Sequence, residues 1–153
     1  MRIALLLALL LPATLGAQAV QPRDTSYTRG DRTIYHQHAP SETEWGYAQA
    51  IVVGNTIYVS GTVSGGRTLD EEVANVYRRI ERTLRANGFT MQDVVKETAY
   101  AKDMERFAAT NPVRLRAYAG HTPAATWVQI SGLLSQGANV EIEVTAVRAQ
   151  PPR

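Results

Sequence analysis

The chain has 153 residues, a formal net charge of +2 and no cysteine. That length suits one domain. The missing cysteine excludes disulfides, thiol nucleophiles and cysteine metal sites, and the near-balanced charge predicts no strong field for nucleic acid or an anionic membrane.

In chain order, MRIALLLALLLPATLGAQA comes first: Arg2, an apolar run from Ile3 to Leu11, Pro12, then Ala17-Gln18-Ala19. A basic start, a short apolar run and a small-x-small end predict a secretory signal peptide over residues 1–19. The run is too short to span a bilayer, so no stable membrane anchor is expected and the mature protein is placed in the periplasm or outside the cell. Cleavage leaves about 130 residues, enough to bury roughly two-thirds of the unfolded surface without crosslinks.

Residues 20–31 are polar, with Pro22 and Gly30, and read as a flexible leader; residues 32–150 form the expected domain. Arg32 to His38 reads as a short edge strand with His36 and His38 on one face. No further ligand is apparent, so no metal site is expected. Residues 40–46 are turn-like. Tyr47–Val53 and Thr56–Ser60, rich in Ile, Val and Tyr, flank Gly54-Asn55 and predict a hairpin whose second strand ends at Gly61.

Residues 68–87 are the clearest helix. Thr68 and Glu71 stand at capping-box spacing, Val73, Val76, Tyr77, Ile80 and Leu84 form an apolar stripe, and Gly88 suits a left-handed cap. Thr90–Asp93 reads as one turn and Val94–Ala101 as a strand. A second helix from Met104 to about Tyr118 contains Pro112, which removes a backbone donor and predicts a kink or division near Asn111.

The stretch Pro123–Val147 then reads as two strands joined by a Gly-containing loop. In the first, Ala125, Trp127 and Gln129 share a face. In the second, Val140, Ile142 and Val144 alternate with Glu141, Glu143 and Thr145, a period of two. Glutamates opposite an apolar face are either a solvated surface or a pocket group that handles protons. Helices arriving between strands cover one face of a single sheet in an α+β layer. The other face mixes polar and apolar residues, which suits burial against copies of the same chain.

Three stretches, AQAIVVGNTIYVSG, DVVKETAYAKDMERFAATN and PAATWVQISGLLSQGANVEIEVTAV, resemble the RidA/YjgF family, also called the L-PSP endoribonuclease family, over about Tyr47 to Val147. The resemblance implies a chorismate-mutase-like fold: one mixed sheet, two helices on one face, and a homotrimer with pockets at subunit interfaces. It also implies cofactor-independent and metal-independent hydrolysis of reactive enamines and imines to a carbonyl product and ammonia. By the same resemblance the pocket tyrosine is Tyr47, the glycine offering backbone contacts is Gly61, the pocket asparagine is Asn111 and the water-positioning glutamate is Glu141.

One position departs. Where that family has an arginine for the substrate carboxylate, this chain has Ala125, and Trp127 stands where the family has a cysteine-type residue. A methyl group cannot hold a carboxylate bidentately, and losing one partner of a desolvated pair costs about 2–5 kcal/mol. An apolar aromatic wall and a non-standard small-molecule substrate are therefore expected, with Arg67 as an alternative anion contact. The alternative is a non-catalytic small-molecule-binding trimer. A third reading is a ribonuclease or a stress chaperone, roles also attached to this family; the weak charge and the lack of a histidine pair with a clear spacing give ribonuclease the least support.

Overall fold

The computed structural model describes residues 24–149. The signal-peptide reading of residues 1–19 lies outside them. Among the described residues, no helix is long and apolar enough to cross a membrane.

Among the described residues, seven strands form one sheet: β1 (Thr25–Arg29), β2 (Arg32–His36), β3 (Ala50–Val53), β4 (Thr56–Thr62), β5 (Val94–Ala101), β6 (Ala124–Gln129) and β7 (Val140–Val147), in the order β1-β2-β3-β4-β7-β5-β6. Among these strands, β5 and β6 pair in parallel and the other pairs are antiparallel. This arrangement corrects two expectations. Thr25–Arg29 is not leader: it forms the edge strand β1, paired residue for residue with β2. And β6 and β7 are not neighbours, because β5 lies between them and bonds to both.

The helices are α1 (Ala39–Glu44), α2 (Leu69–Ala86), α3 (Met104–Ala109) and α4 (Asn111–Tyr118). Most of residues 40–46, read as a turn, therefore belong to the short helix α1. Pro112 divides the second long helix as its ring requires: α3 ends at Ala109, and proline sits in the first turn of α4. Thr68 caps α2, accepting from Glu71 N. The reciprocal half of the expected capping box is diverted. Glu71 accepts instead from Arg67 N and from the Arg67 guanidinium, at 2.9 and 2.8 Å. Arg67 is thus committed to an exposed i,i+4 pair.

The core lies between α2–α4 and one face of the sheet. Val73, Val76, Tyr77, Ile80 and Leu84 of α2 are buried, and so are Val140, Ile142, Val144 and Ala146 of β7. The alternation read from β7 therefore holds. Glu141, Glu143 and Thr145 lie on the uncovered face with their cross-strand partners Tyr100, Thr98 and Lys96. The two-residue turn Gly54-Asn55 closes the β3–β4 hairpin with Gly54 at φ +59°.

Candidate functional site

Two devices bring Tyr47, Gly61 and Glu141 into one cleft. The first is a β-bulge. Val59 of β4 pairs with Val144 but Thr62 pairs with Ile142, so Ser60 and Gly61 oppose a single residue of β7. Gly61 lies inside β4, which runs on to Thr62 and does not end at Gly61 as expected. Such an insertion re-aims the chain locally. Ser60 is pinned there by its hydroxyl donating to Ala48 O (2.7 Å) and its amide to Gln49 O (2.9 Å). The missing side chain of Gly61 leaves room for the Glu141 carboxylate: a β-carbon at 61 would overlap Oε1 and stand 2.8 Å from Cδ.

The second device is the segment around α1. Glu42 is buried and accepts from His36 Nδ1, Gln37 N, His38 N and Gln49 N. A carboxylate has about four acceptor positions, and all are used. Its backbone oxygen then accepts from Tyr47 N at 2.9 Å. This fixes the tyrosine before β3 begins. His36 thereby acts within this clamp, and among the described residues no group of three or more His, Asp or Glu is placed to hold a metal ion.

The electrostatics of the cleft follow from burial. Glu141 is half-buried, and desolvation, with the nearby Glu143 charge second, raises its carboxyl above the ordinary range. The Tyr47 hydroxyl is raised by burial first and then by the Glu42 and Glu141 charges, against an opposing effect of Arg79. At neutral pH it is a hydrogen-bond donor. The cleft has a volume of about 580 Å³, and among the described residues Trp45, Val63 and Leu134 also line it.

Asn111, Ala125 and Trp127 lie elsewhere. Ala125 and Trp127 pair with Glu97 and Ala99 of β5, residues of the helix-covered face, whereas Glu141 pairs with Tyr100 on the uncovered face. Within one chain the two sets are on opposite sides of the sheet. Alternation along β6 defined which residues travel together. It could not say which side they meet, because that depends on register with β5.

Trp127 is also not the open wall expected. Its ring packs edge-on against Phe107 at 5.1 Å, and the Arg114 guanidinium lies over it at 5.7 Å. Beneath them Glu97, 0% exposed, accepts from Arg114 Nε (2.8 Å), Tyr118 OH (2.6 Å) and Tyr77 OH (3.0 Å), with Trp127 Nε1 at 3.4 Å. Burial, followed by the Glu97 charge, pushes both tyrosine hydroxyls far upward. Sequence reasoning missed this cluster. Glu97 and Arg114 each resemble surface charges, and only their convergence marks them as core.

A bulged, glycine-floored carboxylate beside a tyrosine, on a mixed sheet covered by helices on one face, defines a small pocket protein of the chorismate-mutase-like fold. The chain belongs to the Endoribonuclease L-PSP family, the RidA/YjgF family, whose model it matches over residues 36–148. It is 34% identical to the 2-iminobutanoate/2-iminopropanoate deaminase of Mus musculus over 110 residues, 67% of this chain and 81% of that protein. It is 30% identical to a RutC family protein of Saccharolobus solfataricus over 109 residues, 66% of this chain and 84% of that one. Among solved structures, Rv2704 of Mycobacterium tuberculosis, a member of the YjgF/YER057c/UK114 family, superposes with a TM-score of 0.72 at 30% identity, covering 76% of this chain and 99% of that one. RidA from a Psychrobacter species gives 0.63 at 30%, covering 67% and 89%.

Proposed function

We propose that the protein hydrolyses reactive imines and enamines to a carbonyl compound and ammonia, without a cofactor, and that its pocket differs from that of the carboxylate-binding deaminases. The observation that carries this reading is the Glu141 carboxylate. It lies over Gly61, and burial, with the Glu143 charge second, raises its carboxyl above the ordinary range. A carboxylate raised above its ordinary range by burial is a stronger base than a solvated one, which suits it to take a proton from a water molecule. Water gives a proton to Glu141 while its oxygen bonds to the imine carbon. The C=N electron pair moves to nitrogen, which is protonated. Collapse of the carbinolamine then forms C=O, breaks C–N and releases ammonia, and the proton balance closes through Glu141. The Tyr47 hydroxyl donates to the substrate. The deaminase names carried by relatives at 30–34% identity support this class of reaction. Ala125 supports the change in substrate, since the strand offers no guanidinium there.

The active assembly we propose is a homotrimer. Tyr58 and Val128 are exposed on the uncovered sheet face. A second copy would also bring the Asn111, Ala125 and Trp127 side of one sheet to the Glu141 cleft of another. Light scattering on the purified domain is expected to give three monomer masses. Export after cleavage of residues 1–19 belongs to the same proposal; mass spectrometry of the native protein is expected to find Val20 at the amino terminus, and a retained Met1 would refute it.

The activity is tested by generating imines in situ with an amine or amino-acid oxidase and measuring the rate of ammonia release. Acceleration by the wild type, reduced about 100-fold or more in Glu141→Gln, is expected from loss of a general base. No acceleration with carboxylated or neutral imines would overturn the reading.

A further inference from the structure

We propose that Trp45 and Leu134 form an apolar lip over the Glu141 cleft that selects imines bearing a bulky apolar substituent, aromatic or branched; this deepens the hydrolase reading above and rests on it. Leu134 is 80% exposed and Trp45 is 66% exposed, more than any other exposed large apolar side chain among the described residues. They come from segments about 90 residues apart in the chain, yet both line the cleft that holds Glu141. Large apolar side chains left in water at one concave place mark a binding surface.

Neither residue is on a loose segment. Trp45 closes α1, its amide donating to Ser41 O at 3.1 Å, and α1 is clamped by Glu42. The loop bearing Leu134 is tied down just beyond it. Lys102 Nζ donates to Gln136 O at 2.9 Å, Ala138 N donates to Ser135 O at 3.0 Å, and buried Glu72 receives Asn139 N, Asn139 Nδ2 and Val140 N. A lip held on both sides before ligand arrives loses little entropy on binding.

Size and charge agree. About 580 Å³ falls within the roughly 300–1,000 Å³ that encloses drug-sized ligands, more room than a three-carbon imine fills. Among the described residues lining it, Glu141 carries the only charge. An anionic substituent would meet that carboxylate unpaired, whereas a neutral ring can lie on the indole and against Leu134 and Val63. The indole available to a ligand is Trp45, because Trp127 is engaged by Phe107 and Arg114.

The test compares 2-iminopropanoate with 2-imino-3-phenylpropanoate, which differ only in methyl against benzyl, and reads the ratio of kcat/KM. In the wild type the benzyl imine is expected to be favoured at least tenfold. Trp45→Ala and Leu134→Ser should each bring the ratio down toward unity, and Trp45→Phe should retain most of it. A separate arm titrates phenylacetone against Trp45 emission in a Trp127→Phe background, where a saturable change is expected that weakens when Leu134→Ser is added. A wild-type ratio near one, a ratio surviving Trp45→Ala, or an altered mass of that variant by light scattering would overturn the lip, the last by assigning Trp45 to a subunit contact. If neither these carboxylated imines nor a neutral imine is hydrolysed while the phenylacetone titration saturates, the hydrolase reading fails and the apolar site stands. If imines are hydrolysed without preference, only the lip fails.

Discussion

Gly61 and Glu141 occupy the same space: the carboxylate of one fills the volume that a side chain on the other would take, with Cδ only 2.8 Å from where a β-carbon would stand. The obstructing atoms are the far end of a flexible side chain, so Gly61→Ala is expected to fold and to push Glu141 aside. Displacement of a reacting group by about 1 Å can cost 100-fold in rate. The expected outcome is a loss of that order in imine hydrolysis with nearly unchanged thermal unfolding. An alanine variant with full activity would show that Glu141 works from another position.

Glu141→Gln separates chemistry from stability. Burial raises the Glu141 pKa in the folded protein, with Glu143 adding to it. Ionising it therefore opposes folding. The wild type keeps its relative stability below the pKa of the unfolded carboxylate and loses it as pH rises through the folded value. Glu141→Gln should therefore unfold at a slightly higher temperature than wild type at pH 7, with the difference vanishing toward pH 4, while activity is lost at both. Wild-type activity should fall on acidification at a pH above the ordinary carboxylate range. Coincident melting curves across that window would remove the assigned desolvation.

Much of this arrangement can be read from the sequence, and the exceptions share a cause. Val140, Ile142 and Val144 alternate with Glu141 and Glu143 because a strand's period of two is written directly in residue types. Pro112 divides α3 from α4 by a local steric rule. Strand order is not local. Nothing in Pro123–Val147 reveals that Val94–Ala101 inserts between its two strands, and so nothing reveals that Trp127 faces the helices. Thr25–Arg29 is polar and gains its strand conformation from β2. Thr68 and Glu71 satisfied the expected spacing, but the Glu71 carboxylate pairs with Arg67 instead. Trp45 carried no signal, since a tryptophan after a short polar stretch has no period.

The Glu97 cluster makes a stability prediction. Glu97 is wholly buried and Arg114 nearly so, at 2.8 Å. Removing the cation alone leaves a buried charge, which costs about 3–5 kcal/mol even though two tyrosines still donate to it. Arg114→Met should therefore be strongly destabilised in urea unfolding. Glu97→Leu combined with Arg114→Met should recover part of that loss, because neither charge then remains. If the double variant is as unstable as the sum of the single ones, the pair is not an energetic unit.

Assembly across subunits can be tested by mixing. If Asn111 of one copy completes the Glu141 cleft of another, Asn111→Ala and Glu141→Gln damage different halves of each site. Trimers refolded from both variants would then contain some interfaces with both halves intact. Ammonia release above either parent is expected. Activity no higher than the parents, with mixed trimers verified by mass, would confine the site to one chain.

The last prediction concerns Ala125, the position at which this chain lacks the carboxylate-binding arginine. Ala125 is exposed and stands directly across from Glu97 in the β5–β6 pairing. Because Glu97 already accepts from Arg114, Tyr77 and Tyr118, a new guanidinium at 125 does not find a free carboxylate in the core and is left to extend from the edge strand. Trp127 is packed against Phe107 and does not block it. Ala125→Arg alone is therefore expected to fold and to lower the KM for 2-iminopropanoate, by tenfold or more if the guanidinium meets the substrate carboxylate bidentately. The KM for a neutral imine should not fall with it. The same change should have no effect in a Glu141→Gln background, where turnover is already lost. A KM for 2-iminopropanoate that stays at the wild-type value in Ala125→Arg would place the edge of β6 away from the ligand, and the wild-type preference would then have to be set entirely by the cleft around Glu141.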